Sequence, residues 1–106
     1  MGQRRTAGFV RRYMAPGMEH CFGGPGPSGF GQLGVAGGDA DHDIEAALER
    51  WVEKGIAPGT IIGAKRGSDF DSASLLLRTM PICVWPKVPR YSGKGSTNEA
   101  TNFTCY

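Results

Sequence analysis

Asp43-Ile44-Glu45-Ala46-Ala47-Leu48-Glu49-Arg50-Trp51-Val52-Glu53-Lys54-Gly55 is the stretch from which the rest of the chain is read. Ile44, Ala47, Leu48, Trp51 and Val52 stand at i, i+3, i+4, i+7 and i+8, which is one face of an α-helix. Asp41 or Asp43 can cap the start, where a carboxylate also meets the positive end of the helix dipole. Gly55 lies just past the last apolar position and Pro58 three residues further on, the usual end of a helix. The pattern predicts a helix over about 43–54. Its single apolar stripe calls for one packing surface, expected to be a sheet.

Working outward from the helix, residues 8–14 (Gly-Phe-Val-Arg-Arg-Tyr-Met) are aromatic and β-branched and read as a strand that Pro16 and Gly17 stop. Residues 15–38 form a Gly/Pro-rich loop, and connections of that length inside a small domain are functional or disordered. On the other side, residues 60–65 (Thr-Ile-Ile-Gly-Ala-Lys) predict a short strand, 66–74 a polar turn and 75–78 a second short strand. From Pro81 onward the chain is rich first in Pro and then in Gly, Ser and Asn, and an irregular tail is expected. Strand, long loop, helix, strand and tail suit the end of an α/β fold.

At 106 residues the chain is one small domain, with no internal repeat and no internal boundary. With 17 Gly and 7 Pro it approaches compositions that stay disordered, yet 40% of its residues are hydrophobic. Those cluster at 9–14, 44–52 and 61–64, too few elements to bury much surface by themselves. Twelve basic residues against ten acidic ones give a net charge of +2, too balanced to point to nucleic acid or an anionic membrane. Arg4, Arg5, Arg11 and Arg12 read as a solvated flank. No run approaches the ~18 apolar residues of a membrane span, and no apolar segment of signal-peptide type follows the N-terminal arginines. Three cysteines, Cys21, Cys83 and Cys105, suggest one bridge and one orphan thiol. The orphan is either a buried free thiol or a residue whose partner lies outside this sequence.

Three segments carry a resemblance. The first is Arg12-Tyr-Met-Ala-Pro-Gly-Met-Glu-His20-Cys21 with Gly23-Gly-Pro-Gly-Pro27 behind it. The second is Ala47-Leu48-Glu-Arg-Trp51-Val52-Glu53-Lys-Gly55-Ile-Ala-Pro58. The third is Arg78-Thr-Met-Pro81-Ile-Cys83, then Arg90-Tyr91-Ser-Gly93-Lys-Gly95-Ser96 and Asn102-Phe103-Thr-Cys105. In this order they resemble the tannase and feruloyl esterase family, which includes esterases acting on a terephthalate monoester. The match runs from about residue 8 to the end.

The resemblance implies the C-terminal portion of an α/β-hydrolase with a Ser-His-Asp triad. It aligns His20 with the catalytic histidine and Cys21 with a neighbour disulfide-bonded to the residue before the serine. It aligns Cys83 and Cys105 with the bridge that closes the tail. The chemistry fits a histidine on a loop after the last strands. A serine hydroxyl becomes a nucleophile when an imidazole takes its proton, and the same imidazole returns that proton to the leaving oxygen. Met80 and Val84-Trp85 depart from the family's usual Arg and Pro-Tyr. The chain has no Cys-Ser pair and no aspartate before His20, so residues 1–106 are expected to be a C-terminal fragment without the nucleophile region or the lid domain. Lid-bound calcium would be missing with the lid, and no cofactor is expected.

The function implied is therefore hydrolysis of a small aromatic-acid ester by a full-length enzyme, secreted or periplasmic, with this chain inactive alone. The alternatives are a non-catalytic binding or structural module and a truncated gene product. Other apparent motifs fail on context. Gly24-Pro-Gly26-Pro-Ser-Gly29 spells G-x-G-x-x-G without opening a helix. His20, Cys21, His42 and Cys83 lack structural zinc spacing. His42, among three aspartates, is expected to be merely solvated. Asn102-Phe103-Thr104 is a formal glycosylation sequon directly before Cys105.

Overall fold

A computed structural model describes residues 1–35 and 38–106, so residues 36 and 37 of the predicted 15–38 loop lie outside it. Its elements, in order, are α1 (Gln3–Thr6), α2 (Ile44–Lys54), β1 (Ile61–Arg66), β2 (Leu76–Ile82), β3 (Pro89–Tyr91), a 3-10 turn (Ala100–Asn102) and β4 (Phe103–Cys105). Both sheets are antiparallel pairs, β1 with β2 and β3 with β4.

The predicted helix forms as α2. Asp43 is its cap, its carboxylate accepting from the Glu45 and Ala46 amides at 2.9 and 3.1 Å. Gly55 ends it in the left-handed region at φ 68°, where glycine carries no Cβ penalty. Its apolar stripe is only partly used. Ala47 is buried with Ile61 and Ile82, which face each other across β1–β2, while Leu48 and Val52 are 56% and 78% exposed. Tyr13, Ala15, Phe30 and Ala40 close over that small core.

Three expectations need correction. The strand at 8–14 does not form. Gln3–Thr6 make one helical turn instead, and of the segment only Tyr13 pairs, in a single bridge to Val84. Side-chain bonds replace the ladder: the Tyr13 hydroxyl donates to the Gly59 carbonyl at 2.7 Å, and the Arg11 guanidinium to the carbonyls of Ala7 and Pro58. The tail is also more regular than its composition suggests. The Cys83–Cys105 disulfide, with Cα atoms 5.6 Å apart, holds the last residues beside the end of β2. There β3 and β4 pair, Tyr91 opposite Phe103, with their rings 5.6 Å apart. The second strand runs over Leu76–Ile82 rather than 75–78, and continues through Pro81.

Candidate active site

Residues 15–32 are folded back on themselves by their own backbone. The Gly26 amide donates to the Gly17 carbonyl at 3.0 Å, and inside that closure the Glu19 amide donates to the Gly23 carbonyl at 3.3 Å. His20, Cys21 and Phe22 form the tip of this inner turn, and all three are exposed. Cys21 adopts φ 69°, a conformation uncommon outside glycine. A Cβ on Gly24 would strike the Gly17 carbonyl, and one on Gly26 the Pro16 carbonyl, so the crossing of the two limbs requires glycine. The Gly-Gly-Pro-Gly-Pro run is the geometry of this crossing.

The loop is then fastened to the rest of the chain at several points. Pro27 and Ser28 are buried, and Pro27 lies over β1 at Gly63, where a Cβ would come within 2.7 Å of the proline's Cβ. Gly29 pairs with Ala64 of β1 through two 2.8 Å bonds. The Phe30 carbonyl accepts from the first amide of α2, that of Ile44, at 2.8 Å. The Gln32 amide group donates to the carbonyls of both Cys21 and Ser28.

Asp69, in the turn after β1, is the centre of the polar fastening. One oxygen accepts from the Gly23 amide at 2.8 Å, and the other from the Ser28 hydroxyl at 2.6 Å. The Lys65 ammonium lies 3.5 Å from the second oxygen and 3.3 Å from the Ser28 hydroxyl. The Asp69 side chain is 8% exposed. Desolvation pushes its carboxyl up, but the Ser28 hydroxyl, the Gly23 amide and Lys65 together outweigh it and hold the pKa below the ordinary carboxylate value. Phe70, the next residue, meets Phe22 edge-on with ring centroids 5.3 Å apart. Neither Asp69 nor Ser28 stood out in the sequence. The one available signal was the pairing of Lys65 with a carboxylate four residues later across a strand end.

The other candidate residues lie apart from this cluster. The His20 imidazole makes no hydrogen bond to a described residue, and Cys21 is a free, exposed thiol. Cys83 and Cys105 are joined to each other. His42 is not simply solvated: its Nδ1 lies 2.7 Å from Asp39, whose carboxyl this hydrogen bond and the Asp41 amide hold below the ordinary value. The Asn102 side-chain amide, the sequon nitrogen, donates to the Ser96 carbonyl at 2.9 Å within the tail. Among the described residues there is no group of three or more His, Cys, Asp or Glu arranged to hold a metal ion, and no helix is long and apolar enough to cross a membrane.

Comparison with known proteins places this arrangement. A family model described as tannase and feruloyl esterase matches residues 1–106. An uncharacterised esterase of Xanthomonas campestris pv. campestris is 45% identical over 104 residues, covering 95% of this chain and 18% of that protein. A mono(2-hydroxyethyl) terephthalate hydrolase of Piscinibacter sakaiensis is 36% identical over 100 residues, covering 94% of this chain and 14% of that protein. The crystal structure of feruloyl esterase B from Aspergillus oryzae superposes with a TM-score of 0.83 at 30% identity, over 100% of this chain and 21% of that one. A second esterase structure from the same fungus gives 0.87 at 31% identity, over 99% and 21%. The chain thus spans less than a fifth of the length of these two curated relatives. It belongs to the tannase and feruloyl esterase family.

Proposed function

We propose that this chain supplies the general acid/base, His20, of a serine carboxylic ester hydrolase with an α/β-hydrolase fold, whose nucleophilic serine and triad aspartate come from polypeptide outside residues 1–106. One observation carries the reading: the family's His-Cys pair falls at the exposed tip of a turn that backbone crossings and buried anchors hold in place. In the reaction the imidazole takes the serine proton as the hydroxyl attacks the ester carbonyl. It gives that proton to the departing alkoxide or phenolate, and then activates the water that releases the acid. The oxyanion donors that stabilise the tetrahedral intermediate also belong to the outside polypeptide, as does the lid that shapes the substrate pocket.

The substrate class we propose is a small ester of an aromatic acid, supported by the family and by relatives named for feruloyl and terephthalate esters. Cys21, exposed and unpaired here, would bond a cysteine beside the serine and so tie the histidine turn to the nucleophile. A structural disulfide at Cys83–Cys105 supports an oxidising compartment, periplasmic or extracellular.

The test is His20→Ala in the enzyme containing this segment, assayed on methyl ferulate and methyl gallate. Loss of a triad member lowers kcat by roughly 10⁴-fold or more. Turnover that survives the substitution would refute the reading.

A further inference from the structure

We propose that Asp69 is a positioning residue for the reaction: by clamping the Gly23 amide and the Ser28 hydroxyl, it sets where the His20 imidazole stands. The proposal rests on the reading of His20 as the general acid/base. It concerns a carboxylate distinct from the triad aspartate, because both Asp69 oxygens are committed to the base of the turn and to Lys65.

His20 stands on the Glu19–Gly23 turn, whose closing bond runs from the Glu19 amide to the Gly23 carbonyl. The amide of that same Gly23 points the other way, to Asp69 at 2.8 Å. Gly23 is therefore held on both sides, and His20 lies three residues from it. The second oxygen reaches Ser28, the fully buried residue at which the returning limb passes β1. Lys65, projecting from β1, completes the triangle with the carboxylate and the hydroxyl. The histidine turn is thus referred to β1 through one buried carboxylate. The edge-on contact of Phe22, just before Gly23, with Phe70, just after Asp69, repeats the linkage between the two segments.

Removing the carboxylate leaves the Gly23 amide and the Ser28 hydroxyl proton without the acceptor they share and frees the turn to shift. Proton transfer depends on sub-ångström placement of the base, and a misplacement of about 1 Å costs roughly 100-fold. Substrate binding, which this chain contributes little to in the proposed enzyme, is unaffected. The signature is a fall in kcat without a matching rise in KM.

The experiment uses the full-length esterase that contains this segment, with active serines counted by exhaustive phosphonylation so that kcat is expressed per competent site. Asp69→Ala is expected to lower kcat per site by roughly 10–100-fold, with KM within about twofold. The rate of phosphonylation should fall in parallel while its extent stays complete. Asp69→Asn keeps an acceptor for the Gly23 amide and should recover activity to within about fivefold of the parent. A lower site count with an unchanged kcat per site in Asp69→Ala would overturn the proposal, since it would show support of the fold alone. Where Asp69→Ala does not accumulate, Ser28→Ala, which removes the second anchor of the carboxylate, replaces it, and an unchanged kcat per site there overturns the proposal equally. His20→Ala, run alongside, separates the two ideas. Turnover retained there sinks the functional reading, whereas its loss beside an unaffected Asp69→Ala sinks only the positioning role.

Discussion

Replacing Cys105 with serine opens the Cys83–Cys105 loop, whose ends lie 22 residues apart. In the chain-entropy picture a loop of that length restricts the unfolded chain by about 3 kcal/mol. The tail's other ties are individually weaker. Thr79 and Asn98, Ala100 and Thr79, and Val88 and Tyr106 share hydrogen bonds, and bonds of this kind contribute about 1 kcal/mol each. The Tyr91–Phe103 ring pair adds about as much. The disulfide is therefore the largest single contribution to tail order. Since about 1.4 kcal/mol is a factor of ten in an equilibrium constant, protection of the Val88, Ser92 and Tyr106 amides from hydrogen exchange, measured like that of the other amides in the full-length esterase that contains this segment, should fall by about two orders of magnitude in Cys105→Ser or on reduction. Residues 44–54 and 61–66 should keep theirs. Tryptic mapping of the oxidised chain gives an independent check, because cleavage after Arg78, Lys87 and Lys94 leaves peptide 79–87 bonded to peptide 95–106. Unchanged tail protection after Cys105→Ser would refute the energetic reasoning. A dominant bond from the Cys21 peptide, 13–50, to either partner would refute the pairing.

The remaining expectations are briefer. The 106-residue chain by itself should show no saturable, His20-dependent turnover of methyl ferulate or methyl gallate, because the proposed nucleophilic serine lies outside it; turnover that disappears in His20→Ala would contradict this. With Leu48, Val52 and Phe9 exposed, the same chain should bind a hydrophobic dye and melt without a sharp transition; a cooperative melt of a soluble monomer by circular dichroism would show that reading to be wrong. Asp43→Ala removes the cap on two amides and should destabilise α2 by about 1 kcal/mol, read as weaker protection of the Glu45 and Ala46 amides. Asp69 has a folded-state pKa below its unfolded value of about 3.9, so its stabilisation is complete above that value and is lost as pH falls through the folded pKa. Protection of the Gly23 amide, corrected for intrinsic exchange, should hold at pH 5 and decline below about 3.9; equal protection at pH 5 and pH 2 would count against the clamp.

What the sequence disclosed depended on whether the determining interactions were local. The helix was legible to within a residue because its signals are contained in its own length: the stripe from Ile44 to Val52, the Asp43 cap and the Gly55 stop. The short strand at 61–66 was legible for the same reason. Residues 8–14 failed because aromatic and β-branched composition says only that a segment suits a sheet, not that a neighbouring strand is available. Here only Val84 pairs, at Tyr13, and the Arg11 and Tyr13 side chains take over the tethering. The tail failed in the opposite direction. A bond between residues 83 and 105 brings two three-residue strands together, and strands that short have no period to detect.

The candidate site divides along the same line. The His20-Cys21 turn could be picked out by its resemblance, and its glycines by their density, but the reason for the glycines appears only in three dimensions. Gly24 and Gly26 are where one limb of the loop crosses the other, and Gly63 is where Pro27 passes over β1. Asp69 did not stand out because it is one of two aspartates, with Asp71, in a polar turn between two strands, and such residues are what any exposed turn contains. Its burial arises from the loop that starts about fifty residues earlier and folds down onto it. The motif and its support are thus read by different means: the histidine from its flanking residues, and the carboxylate from the unpaired amide and hydroxyl it satisfies. A buried charge persists only where it is matched, and here every partner of Asp69 other than Lys65 belongs to the loop that carries the histidine. That concentration of partners links the stability of the turn to the chemistry proposed for its tip.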